Sequence, residues 1–222
     1  MTNKDYIPCH TYTGRLVNLA DFQETDIDLR DIAVSLSRQN RYAGHSAVPW
    51  SVGQHLMLCG AMAQAAGVSD ADTRCIFLHD IEETWVQDVI WPVKTNLMLG
   101  RYGTISDNVS KKVYSFFGLA DDYANADTRY LIKTFDRAAY IIEAFQLIPG
   151  FVHNQDDFHN DVNALVKQLV EQEFSIPQWL WEMDANTVAQ ELFEILNVFH
   201  AETVLGQPIS AEVEVEDDNN VA

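Results

Sequence analysis

Positive charge is scarce in this sequence. Lys plus Arg total 14 against 33 Asp plus Glu, which leaves a formal net charge of −19 over 222 residues. A field of that sign repels phosphate-rich polymers, so a nucleic-acid-binding module is not expected. Membrane attachment is not expected either. There is no basic amphipathic stretch, and no uninterrupted apolar run approaches the ~18 residues that span a bilayer. Cysteine is also sparse: Cys9, Cys59 and Cys75 are odd in number, far apart and without CxxC spacing. That excludes a disulfide framework or a thiolate redox motif and fits free thiols in a reducing compartment. The opening residues, MTNKDYIPCHTYTG, lack the apolar segment of a secretory signal, so the expected location is cytoplasmic. What this charge balance leaves open is a small anionic ligand, held by a local cluster of cations against the global field.

Hydrophobic residues make up 47% of the chain, enough for a substantial core. Strand signals are almost absent and helical periodicity recurs. Leu29, Ile32, Ala33 and Leu36 follow i, i+3, i+4, i+7 and predict a helix over 28–40. Ser51 and Gln54 make a capping box that opens a second helix, ended near Ala66 by Gly67. Ser69 caps a third, predicted to run to about Trp85. Further helices are predicted over 104–117, 126–147, 157–173, 177–183 and 185–203. The final stretch, AEVEVEDDNNVA, is acidic and poor in large apolar groups and reads as a disordered tail. The expected architecture is all-α: one helical domain over 1–205 and an acidic tail over 206–222.

One stretch does not fit an ordinary helix. In FLHDIEETWVQDVIWPVK, residues 77–94, an imidazole and three carboxylates (His79, Asp80, Glu82 and Glu83) follow an apolar run without a break. On a helix His79 and Glu83 are i, i+4 neighbours and Asp80 and Glu83 are i, i+3, so these groups can converge on one point. A divalent cation there offsets the carboxylate charge and uses a neutral imidazole lone pair. Taken alone, the stretch reads better as a solvated acidic face, with His79 a satisfied core histidine. Two other residues change the weighing. His55 falls in the first turn of an otherwise apolar helix, and Asp136 interrupts the apolar run YLIKTFDRAAYIIEAF. A core aspartate needs a partner, because an unpaired buried charge costs several kcal/mol.

Together His55, His79, Asp80 and Asp136 form the ordered series H…HD…D, which resembles the HD-domain phosphohydrolase superfamily. RQNRYAGHSAVPWSVGQH is similar to the arginine-then-histidine segment of bacterial 5′-deoxynucleotidases and phage dATP triphosphohydrolases. LHDIEETWVQDVIWPVK resembles their H-D-x-x-E-x-x-x-x-D-x-x-x-P-x-K segment, and IKTFDRA stands where they carry the last metal aspartate. The leading TYTGRLVNL…DIDLRDIAVSLS is similar to the phage branch. The similarity covers roughly residues 10–147.

The resemblance implies that His55, His79, Asp80 and Asp136 are metal ligands and that Glu83 and Asp88 are the catalytic carboxylates. It implies phosphate contacts from Arg41 and Lys94. Two departures stand out: Gln54 where relatives carry glutamate, and Trp91 before Pro92 where they carry a small or hydroxyl residue. Two imidazoles and two carboxylates leave open positions on a six-coordinate ion, which suits Mn, Co, Ni or Fe, and also Mg, better than a closed structural zinc site. The implied protein is a metal-dependent phosphohydrolase acting on deoxynucleotides, homo-oligomeric by resemblance to its relatives. It releases phosphate from a monophosphate or triphosphate from a triphosphate. A non-enzymatic HD-fold nucleotide sensor or scaffold is the alternative.

Overall fold

The computed structural model describes residues 6–89, 100–154, 156 and 158–206. Lys94, Trp91, Pro92 and all but the first residue of the acidic tail lie outside them. The chain begins with a short antiparallel hairpin, β1 (Pro8–His10) and β2 (Leu16–Asn18), paired with Cys9 opposite Val17. Helix α1 (Leu29–Arg38) follows, capped by Asp28. The hairpin is fastened to α1 by Asp31, which is buried and accepts hydrogen bonds from the Thr13 amide at 2.7 Å and the Thr13 hydroxyl at 3.0 Å. The all-α expectation therefore holds except for this ribbon. Its three-residue strands are too short to give a readable alternation.

Helix α2 (Val52–Ala65) is the centre of the fold. All but three of its 14 residues are buried, as expected of a helix apolar on every side. The capping box forms as the sequence predicts. The Gln54 amide donates to Ser51 Oγ at 3.1 Å and Gln54 Oε1 accepts from the Ser51 amide at 2.9 Å. The same Gln54 donates through Nε2 to the carbonyl of Leu180 at 2.8 Å. A glutamate has no such donor, so glutamine at this position has a packing reason. Gly53 lets a later helix pass close by, since a Cβ there would lie 2.6 Å from Leu192 Cδ1.

Helix α3 (Asp70–Phe77) is capped by Ser69 but stops eight residues before the predicted end at Trp85. The reason is local. His79 Nδ1 lies 2.7 Å from the carbonyl of Ile76, so the imidazole takes the acceptor that the Asp80 amide would use in a continuing helix. Tight i to i+3 turns follow: the Ile81 amide donates to the Leu78 carbonyl at 3.2 Å and the Glu83 amide to the Asp80 carbonyl at 3.1 Å. The one-turn helix α4 (Glu83–Val86) then closes the segment. His79, Asp80 and Glu83 thus do not share one regular helix face, contrary to the expectation.

The remaining helices are α5 (Gly100–Phe116), α6 (Ala120–Ala124), α7 (Ala126–Leu147), α8 (Asn160–Glu171), α9 (Gln178–Glu182) and α10 (Ala185–Leu205). Most match the predicted spans within a few residues; α6 was not predicted. Helices α1, α3, α7 and α10 surround α2. Trp50 is fully buried, and Trp85 packs edge-on against Phe22 with centroids 4.7 Å apart, so both are core residues. No described helix is long and apolar enough to cross a membrane.

Candidate metal centre

Three segments deliver four ligand-type side chains to one point. His55 comes from the first turn of α2, His79 and Asp80 from the turn after α3, and Asp136 from the middle of α7. Their nearest N and O atoms all lie within 4.8 Å of one another. His55 Nε2 is 3.3 Å from His79 Nε2 and 3.3 Å from Asp136 Oδ1. His79 Nε2 is 3.2 Å from Asp80 Oδ2 and 3.6 Å from Asp136 Oδ1. The longest cross-pair between imidazole and carboxylate, His55 Nε2 to Asp80 Oδ2, is 3.9 Å. Atoms held at ~2.1 Å around one ion lie ~3.0 Å apart across a right angle and ~3.4 Å apart across a tetrahedral one. The observed spacing falls in and slightly above that range.

The protons explain why these atoms need a cation. The carbonyl of Ile76 can only accept, so His79 Nδ1 carries the hydrogen. Glu143 Oε1, 2.7 Å from His55 Nδ1, fixes the same tautomer there. When neutral, each ring therefore presents a bare Nε2 lone pair. Two such lone pairs facing each other at 3.3 Å, with two carboxylates alongside, are mutually repulsive unless positive charge sits among them. Without a metal ion, protons on the imidazoles supply that positive charge. Burial pulls both imidazoles down, and the Arg41 charge adds to this at His55, but the surrounding acidic groups outweigh these effects and hold both well above the ordinary value. Burial pushes Asp80 and Asp136 up, and the two histidines outweigh it and hold both carboxyls well below theirs.

Access to the centre is one-sided. The side chains of His55 and His79 are 0% and 5% exposed, whereas Asp80 is 19% and Asp136 40%. The imidazoles form the floor and the carboxylates the rim. Arg41 joins the rim, with Nη1 3.6 Å from Asp80 Oδ2 and Nε in an ion pair at 3.2 Å with Glu143 Oε2. Burial opposes its charge, and Glu143 and Asp136 more than offset it, so the guanidinium is held charged at the site.

Cys59 also lies near, one turn after His55 on α2. Its sulfur is 3.6 Å from His55 Nε2 and 3.9 Å from Nδ1. Near-equal distances to both nitrogens place the sulfur beside the ring, off the Nε2 lone-pair axis. Cys59 therefore packs against a ligand and does not extend the donor set.

Among the predicted site residues, His55, His79, Asp80, Asp136 and Arg41 are brought together. Glu83 is buried at the start of α4, its amide bonded to the Asp80 carbonyl, immediately beyond the ligand turn. Asp88 follows α4 and is half-buried. Lys94 lies outside the described residues. Glu82, part of the same acidic run, accepts a hydrogen bond from Ser106 on α5 at 3.2 Å.

Sequence reasoning missed two residues. Gln39, just past α1, straps the Glu83–Asp88 segment: its Nε2 donates to the Glu83 carbonyl at 3.0 Å and its Oε1 accepts from the Asp88 amide at 3.0 Å. Between those two acids, Gln87 has φ 68° and ψ 157°, a region that costs a non-glycine residue about 1–3 kcal/mol. Glu143 is the second. It is fully buried on α7 and touches His55, Trp50, Tyr42 and Arg41. His55 and Arg41 drive its carboxyl down to about 2 against the opposing effect of burial, so it is ionised at neutral pH. The available signal was a lone glutamate in the apolar run AAYIIEAF, seven residues after Asp136.

No family model matches the chain. Two curated proteins are similar to it. The uncharacterized protein YfdR of Escherichia coli (strain K12) is 30% identical over 109 residues, 49% of this chain and 57% of that protein. The uncharacterized protein RCAP_rcc00048 of Rhodobacter capsulatus is 30% identical over 149 residues, 65% of this chain and 74% of that protein. The chain thus spans a little over half of the first and about three quarters of the second, and neither name carries an activity.

Proposed function

We propose, for a chain that belongs to the family of the Rhodobacter capsulatus protein RCAP_rcc00048, that it is a metal-dependent phosphohydrolase of the HD type acting on deoxynucleotides. The observation that carries the reading is the convergence of two imidazole Nε2 atoms and two carboxylates on one point, rimmed by Arg41. Such a set calls for a divalent ion and leaves room for substrate oxygen and water. A bound Mn, Co, Ni, Fe or Mg ion supplies Lewis acidity toward a phosphoryl oxygen and lowers the pKa of water.

The chain's own residues supply the rest. Arg41 offers a bidentate fork to the remaining phosphoryl oxygens and is held in place by Glu143. Glu83, one step beyond the ligand turn and shielded from bulk water, takes the proton of the attacking water. The water oxygen bonds to phosphorus as the bond from phosphorus to the sugar oxygen breaks. Asp88, on the strap formed by Gln39, delivers a proton to that leaving oxygen. The products are a deoxynucleoside and inorganic phosphate. Lys94 adds a second phosphate contact on the strength of sequence alone. A monophosphate is the favoured substrate, since among the described residues Arg41 is the cation that contacts the cluster and a triphosphate calls for more.

The test is a product assay with dAMP and dATP in the presence of Mn, Co or Mg. Inorganic phosphate from dAMP supports the reading. Triphosphate plus deoxyadenosine from dATP moves the activity to the triphosphohydrolase branch. Turnover of neither, with metal bound, favours a nucleotide sensor.

A further inference from the structure

We propose that Glu143 is a positioning residue that ties the metal-binding face of His55 to the seat of Arg41, so that cation and anion affinities at this centre rise and fall together. The inference rests on the reading of the centre as a divalent-ion site with Arg41 as its anion contact.

The two oxygens of Glu143 divide the work. Oε1 lies 2.7 Å from His55 Nδ1 and accepts from Trp50 Nε1 at 2.9 Å. Oε2 accepts from the Tyr42 hydroxyl at 2.8 Å and pairs with Arg41 Nε at 3.2 Å. The carboxylate is 0% exposed, so it acts only through the side chains it touches. On one side it decides which His55 nitrogen is free for a cation. On the other it holds the loop that carries Arg41.

That loop needs holding. Tyr42, Ala43 and Gly44 have φ of 59°, 49° and 78°, three consecutive residues in the left-handed region. Tyrosine and alanine rarely enter it, and such backbone persists only where the surroundings over-determine it. The loop's ends are fixed through the backbone, by the Arg41 amide on the Trp50 carbonyl at 2.8 Å and the Ala47 amide on the Leu147 carbonyl at 2.7 Å. Its strained middle is closed by the Gly44 amide on the Arg41 carbonyl at 3.1 Å and the His45 amide on the Tyr42 carbonyl at 3.0 Å, and is tied to α7 by the Tyr42 ring beside Tyr140 and the Tyr42 hydroxyl on Glu143. Relaxation of that middle displaces Arg41, which directly precedes it.

A cation at His55 Nε2 makes the Nδ1 hydrogen more acidic and strengthens its bond to Glu143. The carboxylate is thereby fixed in the orientation that also seats Tyr42 and Arg41. By reciprocity, an anion that locks Arg41 favours the same carboxylate orientation and so the metal-binding tautomer. Direct contact between metal and anion adds a coupling of its own, which any variant of Glu143 retains.

The experiment titrates Mn(II) into the full-length chain stripped with chelator, with and without saturating inorganic phosphate, by calorimetry. Phosphate is then titrated into Mn-saturated protein. Wild type is expected to bind Mn more tightly with phosphate present. Glu143→Gln is expected to bind Mn about 10- to 100-fold more weakly, the scale for loss of a carboxylate behind a ligating histidine, with weaker phosphate binding and a smaller mutual enhancement. Tyr42→Phe, which removes the loop tether and leaves the Glu143 contact to His55, is expected to change Mn affinity less than Glu143→Gln does and to bind phosphate several-fold more weakly. Wild-type affinities in Glu143→Gln, or a lower melting temperature with both affinities intact, overturn the inference and leave the metal centre standing. If Glu143→Gln does not fold, an unchanged phosphate affinity in Tyr42→Phe overturns it. A wild type that binds neither Mn nor phosphate sinks the metal centre and this inference with it.

Discussion

Replacing Asp136 with asparagine separates metal binding from folding. Asp136 is the most exposed of the four candidate ligands, with 40% of its side chain accessible, so a change of one atom there costs little packing. Its electrostatic cost toward a cation is large. A unit charge ~2.1 Å from a divalent ion contributes about 332 × 2/(80 × 2.1), or ~4 kcal/mol, even at the dielectric of water, the appropriate choice for a half-exposed carboxylate. The amide oxygen or a water molecule takes the vacated position and recovers part of this. The expected loss is about 10²- to 10³-fold in Mn affinity, measured by calorimetry on chelator-treated protein. Circular dichroism of the metal-free variant should remain helical. A control removes a buried acid of a different kind. Asp31→Asn weakens the tie between the hairpin and α1 and should lower the melting temperature while leaving Mn affinity unchanged. Equal Mn affinity in Asp136→Asn and wild type would refute the reasoning, as would an equal loss in Asp31→Asn.

Glu83→Gln should retain the ion and lower kcat by about 10²-fold or more, the scale of a positioned acid–base group; an emptied site in a folded variant makes Glu83 a ligand instead. Metal binding at pH 7 should release protons. His55 and His79 are held above the ordinary imidazole value in the metal-free protein, yet both must be neutral to ligate. Calorimetry in buffers of different ionisation enthalpy measures the release, and no release contradicts the assignment. The same shifts set the direction of a stability change. A histidine whose folded pKa is raised contributes stability that is complete below its unfolded value of ~6.5 and is lost as pH rises through the folded value. The metal-free protein should therefore melt at lower temperature as the pH is raised above ~6.5. The metal-loaded protein should not follow, and parallel profiles for the two forms count against the cluster.

Much of the helical frame was legible because its signals are local. The Ser51–Gln54 capping box, the Ser69 cap and the stops at Gly67 and Gly118 are written in adjacent residues, and the structure uses each of them. The four ligand-type residues were legible only as a set: Asp136 interrupts an apolar run, His55 opens an apolar helix, His79 and Asp80 follow one, and the ordered series they form carries the resemblance to HD-domain phosphohydrolases. The break of α3 was not legible, because it depends on a side chain reaching back three residues to displace a backbone hydrogen bond. His79 and Asp80 still converge, but through a turn and not through helical spacing. Glu143 and Gln39 were missed because their partners are distant in sequence. Glu143 meets Tyr42 across 101 residues, and Gln39 meets Asp88 across 49. A buried glutamate in an apolar helix announces a need for partners without naming them.

Anomalous X-ray diffraction from crystals of the Mn-loaded protein tests the central claim most directly. The account predicts one strong peak per chain, ~2.0–2.3 Å from His55 Nε2, His79 Nε2 and one oxygen each of Asp80 and Asp136. A peak at another position, or none at these four side chains in crystals whose protein carries Mn by elemental analysis, contradicts it.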